Sequence, residues 1–142
     1  MKKPRELVSR FGVSMDQELL ALFDRWLEAH KYKNRSEAIR DLVRKSLVAE
    51  EWDHNRETVG AITLIYDHHT RGLSQRLNEI QHDFAGKVIT SMHIHLDHHH
   101  CLEVIVARGK ARKVKSLADS LTAERGVKYG TLTGATTAKT LP

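Results

Sequence analysis

Apolar and polar residues alternate along two segments near the middle of the chain, which predicts two neighbouring β-strands. In the first segment one face carries the apolar residues Val88, Met92, Ile94 and Leu96, and the other carries Ser91, His93, His95 and Asp97. The alternation resumes after a turn with Leu102, Val104 and Val106 on the apolar face. Cys101 and Glu103 therefore fall on the histidine face.

The two strands are predicted to form an antiparallel pair. Residues directly opposite each other in such a pair point the same way, so the connecting loop must have an odd length. The simplest arrangement places His95 opposite Cys101. Two imidazoles, from His93 and His95, and one thiol would then converge within ~5 to 7 Å.

The first third of the chain has its own pattern of one strand and two helices. Residues 10–15 alternate as a strand, and Ser14 with Gln17 forms a capping box that is predicted to open a helix. A second helix is predicted to start at Asn34. A single strand has no partner within this segment, which is too short to be stable alone. We therefore expect an intertwined dimer in which the strand pairs with its copy in a second chain.

The remaining pattern predicts strand, helix, two strands, helix and strand, a βαββαβ order typical of ferredoxin-like folds. The fold class is thus α+β. We divide the chain into a domain at 1–50, a polar linker at 51–58, a second domain at 59–136 and a tail at 137–142. We expect helices to cover one sheet face and the histidine face to stay uncovered, free to meet another subunit.

Composition narrows the class of protein further. The 142 residues carry a net charge of +5, which is compatible with nucleic-acid binding. No apolar run approaches the ~20 residues of a membrane span, and the N-terminal basic residues precede no apolar segment. We expect a cytoplasmic protein without a membrane partner. Its one cysteine would stay reduced there.

Histidine and cysteine side chains that share one strand face are typical metal ligands, although each of these residues has a simpler interpretation. The run His98, His99 and His100 can be a solvated turn, and a lone cysteine is often a small buried apolar residue. The residues alone do not name the metal. Tetrahedral placement would suit zinc, and square-planar placement would suit nickel or copper.

Two motifs together resemble a known family. Arg10-x-Gly12-x-Ser14 followed by the segment 34–41, Asn-Arg-Ser-Glu-Ala-Ile-Arg-Asp, resembles the ribbon-helix-helix DNA-binding domain. Joined to His93-x-His95 and Cys101, it resembles the bacterial and archaeal nickel-responsive transcriptional regulators, over about 9–132. The resemblance implies a ribbon-helix-helix (βαα, intertwined dimer) followed by a ferredoxin-like βαββαβ domain of ACT type.

The resemblance also implies which residues bind double-stranded operator DNA. Arg10, Gly12 and Ser14 match the three positions that read bases in the major groove, and an arginine there can pair bidentately with guanine. Gly12 departs from the family, because it has no side chain to read a base. Phosphate contacts are implied for Asn34, Arg35, Ser36 and Arg40; Arg40 could equally pair with Glu37.

For the metal site, the resemblance implies one Ni(2+) per subunit in a homotetramer. His82 of a neighbouring subunit would complete the ligand set of His93, His95 and Cys101. Residues expected around the ligands are Tyr66, Gln81 and Glu103, although Tyr66 could equally be a core aromatic. His68 and His69, with Asp67, could bind additional metal or lie near DNA with Arg71.

The function implied is a nickel-dependent transcriptional regulator that represses nickel-uptake genes. The alternatives are a metal storage or delivery protein whose first segment only dimerises, and a sensor of copper, cobalt or zinc. The chain has no nucleophile pair, general base or Gly-rich phosphate loop, so we expect neither an enzyme nor a small organic substrate.

Overall fold

The computed structural model describes residues 8–142, which divide into two compact units, one ending at Leu42 and the other starting at Val43. The elements in chain order are α1 (Gln17–Ala29), α2 (Arg35–Asp53), β1 (Glu57–Asp67), α3 (Leu73–His82), β2 (Lys87–His95), β3 (His100–Lys110), α4 (Ala111–Ala123) and β4 (Val127–Gly134).

Both helices of the first segment begin at a side chain that satisfies a free backbone N–H. The carboxylate of Asp16 accepts a hydrogen bond from Leu19 N at 2.8 Å, so Asp16 is the N-cap of α1. The prediction that Ser14 caps this helix is wrong, because the helix starts two residues later than a Ser14 cap requires. The prediction for α2 is confirmed, since Asn34 Oδ1 accepts from Glu37 N at 2.9 Å.

The predicted N-terminal strand is not formed within a single chain. Residues 8–16 belong to no helix or strand, and Phe11 and Val13 are largely exposed, at 75% and 57%. A strand needs a hydrogen-bonded neighbour, and the predicted neighbour is a second copy of the chain. The intertwined ribbon dimer therefore stays a prediction.

The second unit has the predicted βαββαβ order. Its four strands form one antiparallel sheet in the order β2-β3-β1-β4, as in a ferredoxin-like fold. Strand β3 pairs with β1 along its whole length, from Glu57 opposite Lys110 to Asp67 opposite His100. Strand β2 lies at an edge of the sheet.

The histidine face of the hairpin is the face that the helices cover, so the prediction of an uncovered histidine face is wrong. Cys101 and Glu103 are 2% and 1% exposed, and the same face of β1 and β3 carries buried Ile62, Leu64 and Ile105. These residues pack with α3 and α4 in one core.

Alternation identified which residues share a face from Ser91 to Glu103, but its placement of Val88 beside Met92 is wrong, because a register shift between Val88 and Thr90 turns Val88 toward the core. Alternation could not identify the covered face, because β1 and β3 are apolar on both sides.

The open face of the sheet is apolar along β2. Met92, Ile94 and Leu96 are 52%, 41% and 52% exposed. Met92 and Ile94 lie opposite Val104 and Leu102 of β3. A contiguous apolar surface of this kind is typical of a protein-protein contact.

The predicted polar connector between the two domains is mostly regular structure. Helix α2 continues to Asp53 and β1 starts at Glu57, so only residues 54–56 of the expected 51–58 linker lie outside both elements. Trp52 anchors the helix end, since its indole N–H donates to Ala135 O at 2.9 Å. Thr58 Oγ1 donates to the same carbonyl at 2.6 Å. These contacts explain why a polar stretch is ordered.

Among residues 8–142, none of the helices combines the length and apolar character needed to cross a membrane.

Candidate metal centre

The β2–β3 hairpin places the candidate ligands in the predicted register. His95 lies opposite Cys101, and His93 lies opposite Glu103. The odd-length connection deduced from strand alternation is therefore confirmed, and all four side chains start from the same face of the sheet.

His93 and Cys101 are candidate ligands that lie close together. His93 Nδ1 lies 3.8 Å from Cys101 Sγ. The thiol is buried, whereas the imidazole is about half exposed. A metal bound to both atoms would therefore be shielded on the thiol side and accessible from the histidine side.

A buried carboxyl group, that of Glu103, holds the surroundings of His93 in place. Its Oε2 accepts from the Tyr66 hydroxyl at 2.7 Å, and its Oε1 accepts from Ser91 Oγ at 2.6 Å and Gln81 Nε2 at 3.1 Å. His93 Nε2 lies 3.4 Å from the same Oε1. The buried acidic side chain is thus surrounded by donors from three elements, as burial of a charge requires.

Tyr66 belongs to the core and also contacts the candidate ligand. It is 1% exposed, and its hydroxyl lies 3.3 Å from His93 Nδ1. Burial, followed by the hydrogen bond to Glu103, raises the pKa of Tyr66 far above its ordinary value. The phenol therefore keeps its proton at neutral pH and remains a hydrogen-bond donor to Glu103.

Ser91 is a residue of this network that the sequence reasoning did not single out. The signal was present, because strand alternation places Ser91 on the histidine face two residues before His93. Alternation also placed Glu103 on that face, but it could not show that the Ser91 hydroxyl reaches this carboxylate, which lies two residue pairs further along the hairpin.

The structure does not bring His95 and His82 to the His93–Cys101 pair. The ring of His95 instead packs edge-on against His68, with centroids 5.0 Å apart. His82 is the last residue of α3 and is exposed, beside a shallow cavity lined by Gln75 and Asn78. Within residues 8–142 no three-ligand cluster includes these residues.

His98 and His99 lie in the turn between β2 and β3, as the solvated-turn interpretation expected, and His100 begins β3. Asp97 organises this turn by accepting from the backbone N–H groups of His99 and His100, both at 2.8 Å. The His100 ring also contacts the Asp97 carboxylate at 2.8 Å, and this hydrogen bond holds the pKa of Asp97 well below its usual value. The turn is therefore ordered by a carboxylate that stays ionised.

The DNA-binding candidates all lie on exposed parts of the first unit. Arg10, Gly12 and Ser14 are exposed, and a side chain at Gly12 would meet nothing within 4 Å. Arg35 already has a partner, since its guanidinium pairs bidentately with Asp24 at 2.8 and 2.7 Å. Hydrogen bonding to Arg35 lowers the pKa of Asp24.

The remaining phosphate-contact candidates flank this ion pair. The Asn34 side chain is occupied in capping α2, whereas Ser36 and Arg40 are exposed. The first backbone N–H groups of α2 point along the helix axis past its N-terminus, and that of Glu37 is already paired with Asn34.

Comparison with known proteins gives consistent results along nearly the whole chain. The family described as "NikR C terminal nickel binding domain" matches residues 59–135. A protein of Desulfovibrio desulfuricans is 52% identical over 94% of this chain and 97% of its own length. One of Geobacter sulfurreducens is 55% identical over 93% and 96%. Both carry the name nickel-responsive regulator.

Among solved structures, the ACT domain from the GTP pyrophosphokinase of Chlorobium tepidum covers 54% of this chain and 99% of its own length. Its sequence identity to this chain is 14% and its TM-score is 0.47.

The matching family model and the names of these relatives show a metal-responsive regulator rather than an enzyme. The chain belongs to the family of nickel-responsive regulators.

Proposed function

We propose that this protein is a nickel-dependent DNA-binding repressor of nickel-uptake genes, in which nickel bound between subunits promotes operator binding. Each subunit would hold one Ni(2+) through His93, His95 and Cys101, with His82 supplied by a neighbouring subunit. The observation that carries the proposal is the pair of His93 Nδ1 and Cys101 Sγ, 3.8 Å apart in a chain of this family.

The surroundings of His93 favour one of its two nitrogens as the ligand. Nε2 faces Glu103 Oε1 at 3.4 Å and Nδ1 faces the Cys101 thiol at 3.8 Å, so Nδ1 is the nitrogen that would bind a metal shared with Cys101. Nδ1 then presents its lone pair on the side of the thiol. Glu103, held by Tyr66, Ser91 and Gln81, acts by orienting the ring and does not itself need to touch the metal.

In this proposal His95 joins the pair by a side-chain rotation. Its backbone lies directly opposite Cys101, and its side chain is exposed on the edge strand β2. An edge strand can be reached from the side even where helices cover part of the sheet face. The same access supports donation of His82 by another subunit.

A homotetramer is supported by the apolar side of the sheet. The exposed side chains of Met92, Ile94 and Leu96 give a second subunit an apolar surface to bury. Assembly through this surface would set two hairpins near each other. In this proposal the apolar face contacts one neighbouring subunit, and the exposed edge of β2 with its histidines meets the subunit that donates His82.

The exposed N-terminal segment supports the DNA-binding part of the proposal. Phe11 and Val13 would be buried between two paired strands, leaving Arg10, Gly12 and Ser14 on the outer side of a ribbon that fits the major groove. The N-terminus of α2, with Asn34, Arg35, Ser36 and Arg40, would contact phosphates.

Regulation requires nickel to favour one arrangement of the tetramer over another. A site shared by two subunits has this property, since its affinity depends on how the subunits are placed. Metal binding and operator binding would then strengthen each other.

The test is a gel-shift titration with nickel at fixed salt, because phosphate contacts make DNA affinity salt-dependent. Cys101→Ala should abolish tight nickel binding and nickel-dependent retention of operator DNA while the tetramer persists. Retention that still depends on nickel in this variant would refute the site.

Arg10→Ala separates regulation from storage. A regulator should lose sequence-specific DNA binding and keep its nickel, whereas a storage or delivery protein should lose nothing measurable. Parallel titrations with cobalt, copper and zinc, with absorption spectra to report geometry, distinguish a nickel sensor from a sensor of another metal.

A further inference from the structure

A second group of metal-ligating side chains lies at the turn end of the sheet, apart from the His93–Cys101 pair. It consists of Asp67, His69 and His99, which each offer one ligand atom within 4.8 Å of the other two. Asp67 is the last residue of β1, His69 follows it in the next turn, and His99 comes from the β2–β3 turn. Two separate turns thus supply the three side chains.

Hydrogen bonds order each of these two turns, and one main-chain bond joins them. Asp67 Oδ1 accepts from His69 N at 2.9 Å, and Asp97 Oδ1 accepts from His99 N at 2.8 Å. His68 N donates to His99 O at 3.2 Å, which joins the two turns through the main chain. The backbone that carries the three ligands is therefore fixed, and only side chains need to move.

We propose that Asp67, His69 and His99 form an accessory site for a divalent ion of intermediate softness, such as Zn²⁺, Co²⁺ or Ni²⁺. Two imidazoles and one carboxylate suit these ions, and water would complete the coordination. Ligands at ~2.0 Å in a tetrahedron lie about 3.3 Å apart. The three atoms therefore have to close by up to about 1.5 Å, which exposed side chains achieve by rotation.

The site differs chemically from the proposed nickel centre. It contains no sulfur, and His69 and His99 are exposed, whereas Cys101 is buried. The two are also neighbours, because the His68 ring lies 4.1 Å from that of His69 and 5.0 Å from that of His95. Binding studies must therefore separate them.

The test uses the full-length chain with Cys101→Ala as the parent, so that no thiolate contributes. Co²⁺ binding is measured by equilibrium dialysis with visible absorption spectra. Adding His99→Asn should weaken the Co²⁺ affinity of one class of sites by at least ~10-fold. Loss of a residue that only supports a ligand already costs about this much affinity, and loss of the ligand itself should cost no less. Asp67→Asn, from the other turn, should give the same loss.

His98→Asn is the matched control, since it removes a histidine from the same turn that is not part of the group. It should bind Co²⁺ as the parent does. The proposal is overturned if His99→Asn binds Co²⁺ as tightly as the parent, or if His98→Asn loses as much as His99→Asn. Neither result depends on whether Cys101 binds nickel.

Discussion

The hydroxyl of Tyr66 gives a direct test of how the Glu103 network stabilises the fold. Tyr66→Phe removes one oxygen and leaves the buried ring in place, so no cavity larger than a hydroxyl forms. The lost hydrogen bond is 2.7 Å long and ends on a buried carboxyl group. Hydrogen bonds to charged groups contribute about 1.5–3 kcal/mol. Ser91 and Gln81 still donate to Glu103 in the variant, so we expect a loss in the free energy of unfolding toward the lower end of this range.

Urea unfolding of the metal-free protein measures this loss. Wild type and variant are compared at one protein concentration, because oligomer stability depends on concentration. Tyr129→Phe is the control, since Tyr129 is 56% exposed and its substitution should change the free energy of unfolding by less than ~0.5 kcal/mol. A Tyr66→Phe loss below ~0.5 kcal/mol, or an equal loss in both variants, would refute the reasoning.

Two further predictions concern the first helix and the metal site. Asp16→Ala should lower the free energy of unfolding by about 0.5–2 kcal/mol because it removes the α1 cap, whereas Ser14→Ala should stay within ~0.5 kcal/mol in the same urea experiment. The reverse order would restore Ser14 as the cap. Nickel affinity, measured by competition with a chelator, should fall as pH is lowered, because the Cys101 thiol must lose its proton to bind metal. An affinity independent of pH would argue against a thiolate ligand.

Strand alternation predicted the hairpin register because that pattern is local. It placed His95 opposite Cys101 and set Glu103 on the same face as His93, as the structure has them. The prediction of which sheet face the helices cover was wrong for a physical reason. Both sides of β3 are apolar, with Ile105 on one and Val104 on the other, so local hydrophobicity cannot tell which side packs within the chain.

Local sequence patterns also could not predict contacts between segments that are distant in the chain. The polar stretch before β1 looks like a linker, but Trp52 hydrogen-bonds to Ala135, 83 residues away. The sequence assigned the cap of α1 to Ser14, whereas Asp16 is the cap in the structure, because the first helical turn begins two residues later. The N-terminal ribbon depends on a second chain, and its prediction rests on the unpaired strand pattern and on the family.

The position of β2 at the sheet edge affects how the protein stays in solution. One side of an edge strand carries backbone donors and acceptors that another chain can pair with, and exposed apolar residues strengthen such mispairing. Met92 and Ile94 expose apolar side chains on this edge strand, and Leu96 follows directly after it, so β2 is open to such pairing. An assembly that covers the apolar side would therefore also protect the edge of β2 from strand-by-strand aggregation.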